Sequence, residues 1–211
     1  MSLVSASPKP KFEFIGDDPA LDFINTIDNR DDPERRKELL NSYADLVAWG
    51  RGAGLLTEAE AERLRLKAAR SSAQARAAVR RAKILREALY RIFSAVAEER
   101  QPAPPDVELL DSFDKQAMAH RRIGRQEQGG YGWQWRTDGD DLDLVLWQVA
   151  KAGAELLTSD LVYNVRACAA ERCRWLFVDT SRNHARRWCD MKICGNRAKA
   201  RRFHERVRKE A

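Results

Sequence analysis

The C-terminal fold of this 211-residue chain is decided by Cys168-Ala169-Ala170-Glu171-Arg172-Cys173, answered by Cys189-Asp190-Met191-Lys192-Ile193-Cys194-Gly195-Asn196-Arg197. These two stretches hold all four cysteines of the chain, in the mirror-symmetric spacing C-x4-C-x15-C-x4-C. Two close pairs separated by a short excursion bring four thiolates to one point, the donor set that zinc takes in a tetrahedron. The alternatives are two disulfides or four buried apolar residues. Disulfides need an oxidising compartment. The opening Met1–Pro10 has no apolar run of the secretory kind and no window suits a membrane span, so a cytoplasmic location is expected. Four thiolates close the coordination shell, which predicts one structural zinc bound by Cys168, Cys173, Cys189 and Cys194. His184 and His204 lie close enough in sequence to replace a ligand, but surface or phosphate-contacting roles are expected for them.

Around the ligands, residues 168–173 read as a tight knuckle. Arg174–Asp179 is rich in β-formers, Thr180-Ser181-Arg182-Asn183 reads as a turn, and Ala185–Cys189 returns, giving a hairpin between the ligand pairs. A helix then runs from Arg197 to about Lys209, with Gly195 letting the chain pass close to the metal. Ala200, Phe203 and Val207 share one face of it and are expected to pack on the hairpin near Trp175 or Trp188. This is similar to a treble-clef finger. A segment with so little apolar content is expected to depend on its metal, for which structural zinc supplies on the order of 10 kcal/mol.

Charge is distributed unevenly. Residues 161–211 carry 14 Lys+Arg against 5 Asp+Glu, a net of +9, whereas the remaining 24 and 27 leave residues 1–160 at −3. Arg197, Lys199, Arg201, Arg202, Arg206, Arg208 and Lys209 line the last helix, with Arg182, Arg186 and Arg187 before it. A compact cationic module of this kind suits a polyanion, and an α-helix fits the major groove of duplex DNA.

Upstream, the sequence reads as mainly helical, in an α+β arrangement with a short β element. After a flexible lead over 1–11, a short strand is expected at Phe12–Ile15. Asp18-Pro19 then opens a helix with Ala20, Ile24 and Ile27 on one stripe. Ser42 with Asp45, and Thr57 with Glu60, open two more. Ser72–Arg100 repeats Leu85, Leu89, Ile92 and Val96 at helical spacing, flanked by Ile84 and Phe93, and prolines 102, 104 and 105 end it. Asp106–Ala119 reads as a helix and Gly129–Arg136 as a strand. Thr137–Asp140 reads as a turn, and Asp141 as the cap of a helix burying Leu142, Val145, Leu146, Val149 and Leu156. The expected division is a helical domain over 12–160 and a finger over 161–211.

Cys194-Gly195-Asn196-Arg197, with Thr180-Ser181-Arg182-Asn183 and Arg186-Arg187-Trp188-Cys189, resembles the CGNR-type zinc finger, a bacterial C-terminal module. Gly16-Asp17-Asp18-Pro19-Ala20-Leu21-Asp22-Phe23-Ile24-Asn25-Thr26 looks like the opening of the ABATE domain, a stress-induced transcription regulator. The resemblance implies zinc on the four cysteines, and DNA contacts from Arg182, Asn183, Arg186, Arg187, Asn196, Arg197, Lys199, Arg201, Arg202 and Arg206. The reading is of a transcriptional regulator on double-stranded DNA whose helical domain dimerises or senses a small-molecule effector. One alternative is RNA binding, with Trp175, Phe177 and Trp188 stacking on bases. Another is a protein-docking finger beside a small-molecule pocket at Asp22, Asn25, Asp28 and Arg30. Nothing resembles a nucleophile–base pair or a phosphate loop, so catalysis is not expected.

Overall fold

The computed structural model describes residues 11–126, 128–136 and 142–210. The lead over 1–10, the turn at Thr137–Asp140 and the cap at Asp141 lie outside them. The first helix, α1 (Pro19–Ile24), starts as its sequence dictates. The Asp18 carboxylate accepts from the Ala20 N–H at 2.7 Å, and Pro19 takes a position whose N–H has no helical partner anyway. Short as it is, α1 is the hub, with Ala20, Leu21, Phe23 and Ile24 all buried. Ile27 lies beyond its end, in a two-residue ribbon of β1 (Ile27–Asp28) with β2 (Lys37–Glu38). The strand expected at Phe12–Ile15 is irregular backbone instead.

Both expected capping boxes are present, opening α2 (Tyr43–Gly52) and α3 (Glu58–Arg70). The long stripe forms α4 (Ser72–Ala97), which buries Leu85, Leu89, Ile92 and Phe93 while Ile84 turns to solvent. Helix α5 (Pro104–Ala119) leads into β3 (Arg121–Arg125), which pairs antiparallel with β4 (Tyr131–Trp135). Helix α6 (Leu144–Thr158) closes the core with Val145, Leu146, Val149 and Leu156, and Leu142 is buried just before it. Its Gly153 lets α4 approach, because a Cβ there would lie 2.6 Å from Leu89 Cδ2.

A 3-10 turn at Asp160–Asn164 delivers the chain to β5 (Val165–Ala167), which pairs antiparallel with β6 (Leu176–Val178). This hairpin is a wall between two cores. Val165, Leu176 and Val178 belong to the helical core, whereas Phe177 points the other way into a small cluster with the cysteines and Trp175. The alternation of a strand puts successive side chains on opposite faces. A π-helical turn, Met191–Gly195, then feeds α7 (Asn196–Glu210).

Candidate metal centre and cationic helix

The sulfurs of Cys168, Cys173, Cys189 and Cys194 lie within 4.8 Å of one another, and all four residues are buried. None is in a disulfide. Sγ of Cys189 is 3.6 Å from those of both Cys173 and Cys194. A tetrahedron with Zn–S bonds of about 2.3 Å has edges of about 3.8 Å, so the donor set fits zinc in both chemistry and size. The packed thiols also conflict electrostatically. The hydrogen bond between Cys173 and Cys168 pulls Cys168 down and pushes Cys173 up, and Cys189 is pushed up by the same neighbours. A divalent cation removes that conflict by stabilising every thiolate at once.

Three of the four ligands are placed by backbone hydrogen bonds, and the carbonyl of the fourth, Cys189, accepts from the Arg186 guanidinium. Cys168 donates to the Trp175 carbonyl at 2.8 Å and Cys173 closes the knuckle on Ala170 at 2.9 Å. The ligand knuckle is thus the turn of the β5–β6 hairpin. This corrects the hairpin expected between the ligand pairs: β6 pairs with β5, and residues 185–189 form no strand. On the other side, Cys194 and Gly195 both donate to the Asp190 carbonyl. A Cβ on Gly195 would strike Met191 Sδ and approach Trp188 Cδ1 to 3.2 Å, so the glycine makes room for the turn itself.

The loop between β6 and Cys189 is organised by Asp179, a fully buried residue that is not among the sequence-derived candidates. Its carboxylate accepts from the Ser181 N–H and hydroxyl and from the Arg186 N–H. Burial pushes the Asp179 carboxyl up, but these donors outweigh it and hold the group below the usual carboxylate range. The one sequence signal for this role is Asp-Thr-Ser, a composition that favours such side-chain-to-backbone turns. His184 Nδ1 lies 3.0 Å from the Asp179 carbonyl, and neither His184 nor His204 joins the sulfur cluster.

The cations divide into two kinds. Arg186 turns inward: its guanidinium reaches the carbonyls of Ile15 at 2.9 Å, Cys189 at 2.6 Å and Trp188 at 3.1 Å, pairs with Asp17 at 2.5 Å, and lies 4.2 Å from the Phe177 ring centroid. Arg182, Asn183, Arg187, Asn196, Arg197, Lys199, Arg201, Arg202 and Arg206 are all exposed.

Helix α7 buries only Ala198 among its described side chains. The expectation that Ala200, Phe203 and Val207 pack on the hairpin is therefore corrected. Ala200 is exposed, Phe203 is 54% and Val207 48% exposed, and Arg206 lies over the Phe203 ring. Trp175, one of the two expected partners of that face, is instead buried with its indole N–H on the Ile27 carbonyl at 2.8 Å. Two clefts flank the helix base. One, of 250 Å³, is lined by Arg187, Trp188, Ala198, Arg201 and Arg202, and the other, of 540 Å³, includes Arg35, Arg172, Arg197 and Arg201.

The family model described as "Putative stress-induced transcription regulator", ABATE, matches residues 17–160, and that of the CGNR zinc finger matches residues 164–207. The chain belongs to the ABATE family. No curated protein matched it. Both families are of regulatory or zinc-finger type rather than enzymes, and the finger with its four buried cysteines carries one structural zinc ion. Among the described residues, no helix is long and apolar enough to cross a membrane.

Within the ABATE domain, most of the polar residues expected as pocket walls are committed to internal structure. Asp22 accepts from the Gly16 N–H at 2.8 Å, and its burial, with Asp18 and Asp17 nearby, raises its pKa to about 6. Asn25 clamps β6, and Arg30 stacks 3.9 Å from Tyr90 while pairing with Glu87 at 2.6 Å. Asp28, by contrast, lines a 220 Å³ cavity shared with Asn29, Lys37, Trp175, Cys173 and Arg197. Trp175 and Phe177 are buried and present no ring to a base, which removes two of the three aromatics on which RNA stacking rested.

Proposed function

We propose that this protein is a zinc-dependent transcriptional regulator that binds double-stranded DNA with α7 as its reading helix. The observation that carries the proposal is the free-standing cationic helix: zinc and the π-helical turn fix its base, and its described side chains beyond Ala198 are committed to no core. An α-helix of this diameter enters the major groove, where arginine forks reach guanine edges and phosphates. The two cationic clefts at its base would take the flanking phosphates, with Arg187, Arg201 and Arg202 on one side and Arg35, Arg172 and Arg197 on the other. Arg182 and Asn183 extend the exposed polar surface of the preceding loop. Arg186 is the internal strut of the same unit rather than a DNA contact.

In this reading residues 12–160 form the helical domain and 161–211 the finger, in a bacterial cytoplasmic protein without catalytic activity. The cavity beside the zinc cluster supports effector sensing. It lies where the β1–β2 ribbon meets the finger, and Lys37, Arg197, Asp28 and Asp190 in its walls suit a small zwitterion. A competition between labelled duplex DNA and single-stranded RNA for the full chain tests the proposal. Preference for the duplex, weakening as salt rises, is expected, and preference for the single strand would replace it with the RNA reading.

A further inference from the structure

The β3–β4 ribbon is anchored by Trp135, which packs on the helical core and stacks 6.4 Å from Trp147, while Tyr131 and Trp133 on the same face and the outer edge of β4 are left exposed. We propose that β4 pairs antiparallel with β4 of a second copy, joining two ribbons into a four-stranded sheet. The proposal deepens the dimer reading of the helical domain.

The register places Arg121 opposite Trp135, Ile123 opposite Trp133 and Arg125 opposite Tyr131, so these side chains share one face. Tyr131 is 79% exposed, Ile123 65% and Trp133 61%. Hydrogen-bonded pairs alternate with open ones along an antiparallel ladder. Arg136 donates to the His120 carbonyl at 2.6 Å and Gln126 to that of Gly130 at 3.1 Å, which fixes the phase. The backbone N–H and C=O groups of Tyr131, Trp133 and Trp135 therefore point away from β3, and no described backbone group outside the ribbon pairs with them.

The two edges differ. β3 carries Arg121, Arg122 and Arg125, charges that discourage strand addition, whereas Tyr131-Gly132-Trp133-Gln134-Trp135 carries none. Pairing β4 about a two-fold axis at Trp133 sets Trp133 opposite its own copy and Tyr131 opposite Trp135. Every outward backbone group then finds a partner, and the aromatic faces become continuous. The arginine strands end up outermost, three strand spacings or about 14 Å apart, beyond the Debye length of about 8 Å at physiological salt. A second copy suits this face better than nucleic acid does, because Arg121 already lies 4.3 Å from the Trp133 centroid and covers one side of the ring that a base would use. A seam of five residues on each copy belongs with the weak, transient interfaces below roughly 1,200 Å² rather than with permanent ones, so association in the micromolar range is expected.

Sedimentation velocity of the full chain across the micromolar range, with duplex binding measured in parallel, tests this. Wild type is expected to move from the 24.1 kDa monomer to twice that mass. Trp133→Lys, which opposes two like charges across the axis, and Tyr131→Lys are expected to stay monomeric with unchanged thermal melts. Both positions are exposed, and the melts identify any variant that unfolds. A monomeric wild type, or variants that dimerise like it, would overturn the proposal. So would variants that lose duplex affinity with their oligomeric state unchanged, which would give the face to nucleic acid. A monomer that still binds duplex refutes only the dimer and leaves the regulator reading intact.

Discussion

The side-chain amide of Asn25 pairs with both backbone groups of Leu176: its Nδ2 donates to the carbonyl at 2.8 Å and its Oδ1 accepts from the N–H at 2.9 Å. An asparagine amide here does what a neighbouring strand would do for β6. Both residues are buried, so the pair fastens the finger to the hub helix of the ABATE domain. Asn25→Ala leaves a buried donor and acceptor unpaired, each at a cost of about 1–3 kcal/mol. Chemical denaturation should show a loss of at least about 2 kcal/mol, and a change within error would remove Asn25 from this role.

Arg186 and Arg187 are adjacent cations with opposite expected phenotypes. Arg186→Ala strips three carbonyls and Asp17 of their donor and should cost about 2–4 kcal/mol and loosen zinc. Arg187→Ala touches exposed surface and should leave the melt within about 0.5 kcal/mol of wild type while weakening DNA binding. Equal effects on stability from the two substitutions would contradict the division into strut and contact.

Asp22 gives a pH dependence whose sign is fixed by its raised pKa. Its folded-state value is about 6 against 3.8, so the folded chain holds the proton more tightly and this contribution to stability declines as pH rises from about 4 to 6. Asp22→Asn keeps an acceptor for Gly16 and removes the titration. Relative to wild type it should gain up to about 3 kcal/mol between pH 4 and pH 7, read from urea midpoints. A difference between the two proteins that does not vary with pH would refute this assignment.

Zinc removal should reach beyond the finger. Leu176 and Val178 sit in the helical core, on a hairpin whose turn is the ligand knuckle. Chelation is therefore expected to lower the midpoint of the main thermal transition and release one zinc per chain. An unchanged main transition would mean that the wall between the two cores holds without its metal.

Local signals in the sequence are legible where one residue type has one physical use. The cysteine spacing, the Asp18-Pro19 start, both capping boxes and the Leu85–Leu89–Ile92 stripe all take the structure expected of them. What is not legible depends on pairing across the chain. Strand β3 has no apolar alternation because neither of its own faces is buried, and β6 takes β5 as its partner because the helical core offers a surface that residues 185–189 do not. The face of α7 misleads for the converse reason. Phe203 and Val207 have helical spacing suited to packing, yet both are about half exposed and lie outside the finger's small core. Charge alone likewise does not separate Arg186 from Arg187, since burial of one guanidinium depends on carbonyls from Ile15, far away in sequence.

If zinc holds a cationic helix in place for DNA, the salt dependence of duplex affinity must change when that helix loses its arginines. The comparison is between the full chain and a variant carrying Arg197→Gln, Arg201→Gln and Arg202→Gln. These residues are exposed and outside the metal shell, so zinc content and melting temperature should match wild type. Weaker binding of the variant is expected at every salt concentration. Its plot of log affinity against log salt should also be shallower by about 0.9 for each phosphate that it no longer neutralises. An unchanged slope with unchanged affinity would remove α7 from the DNA interface.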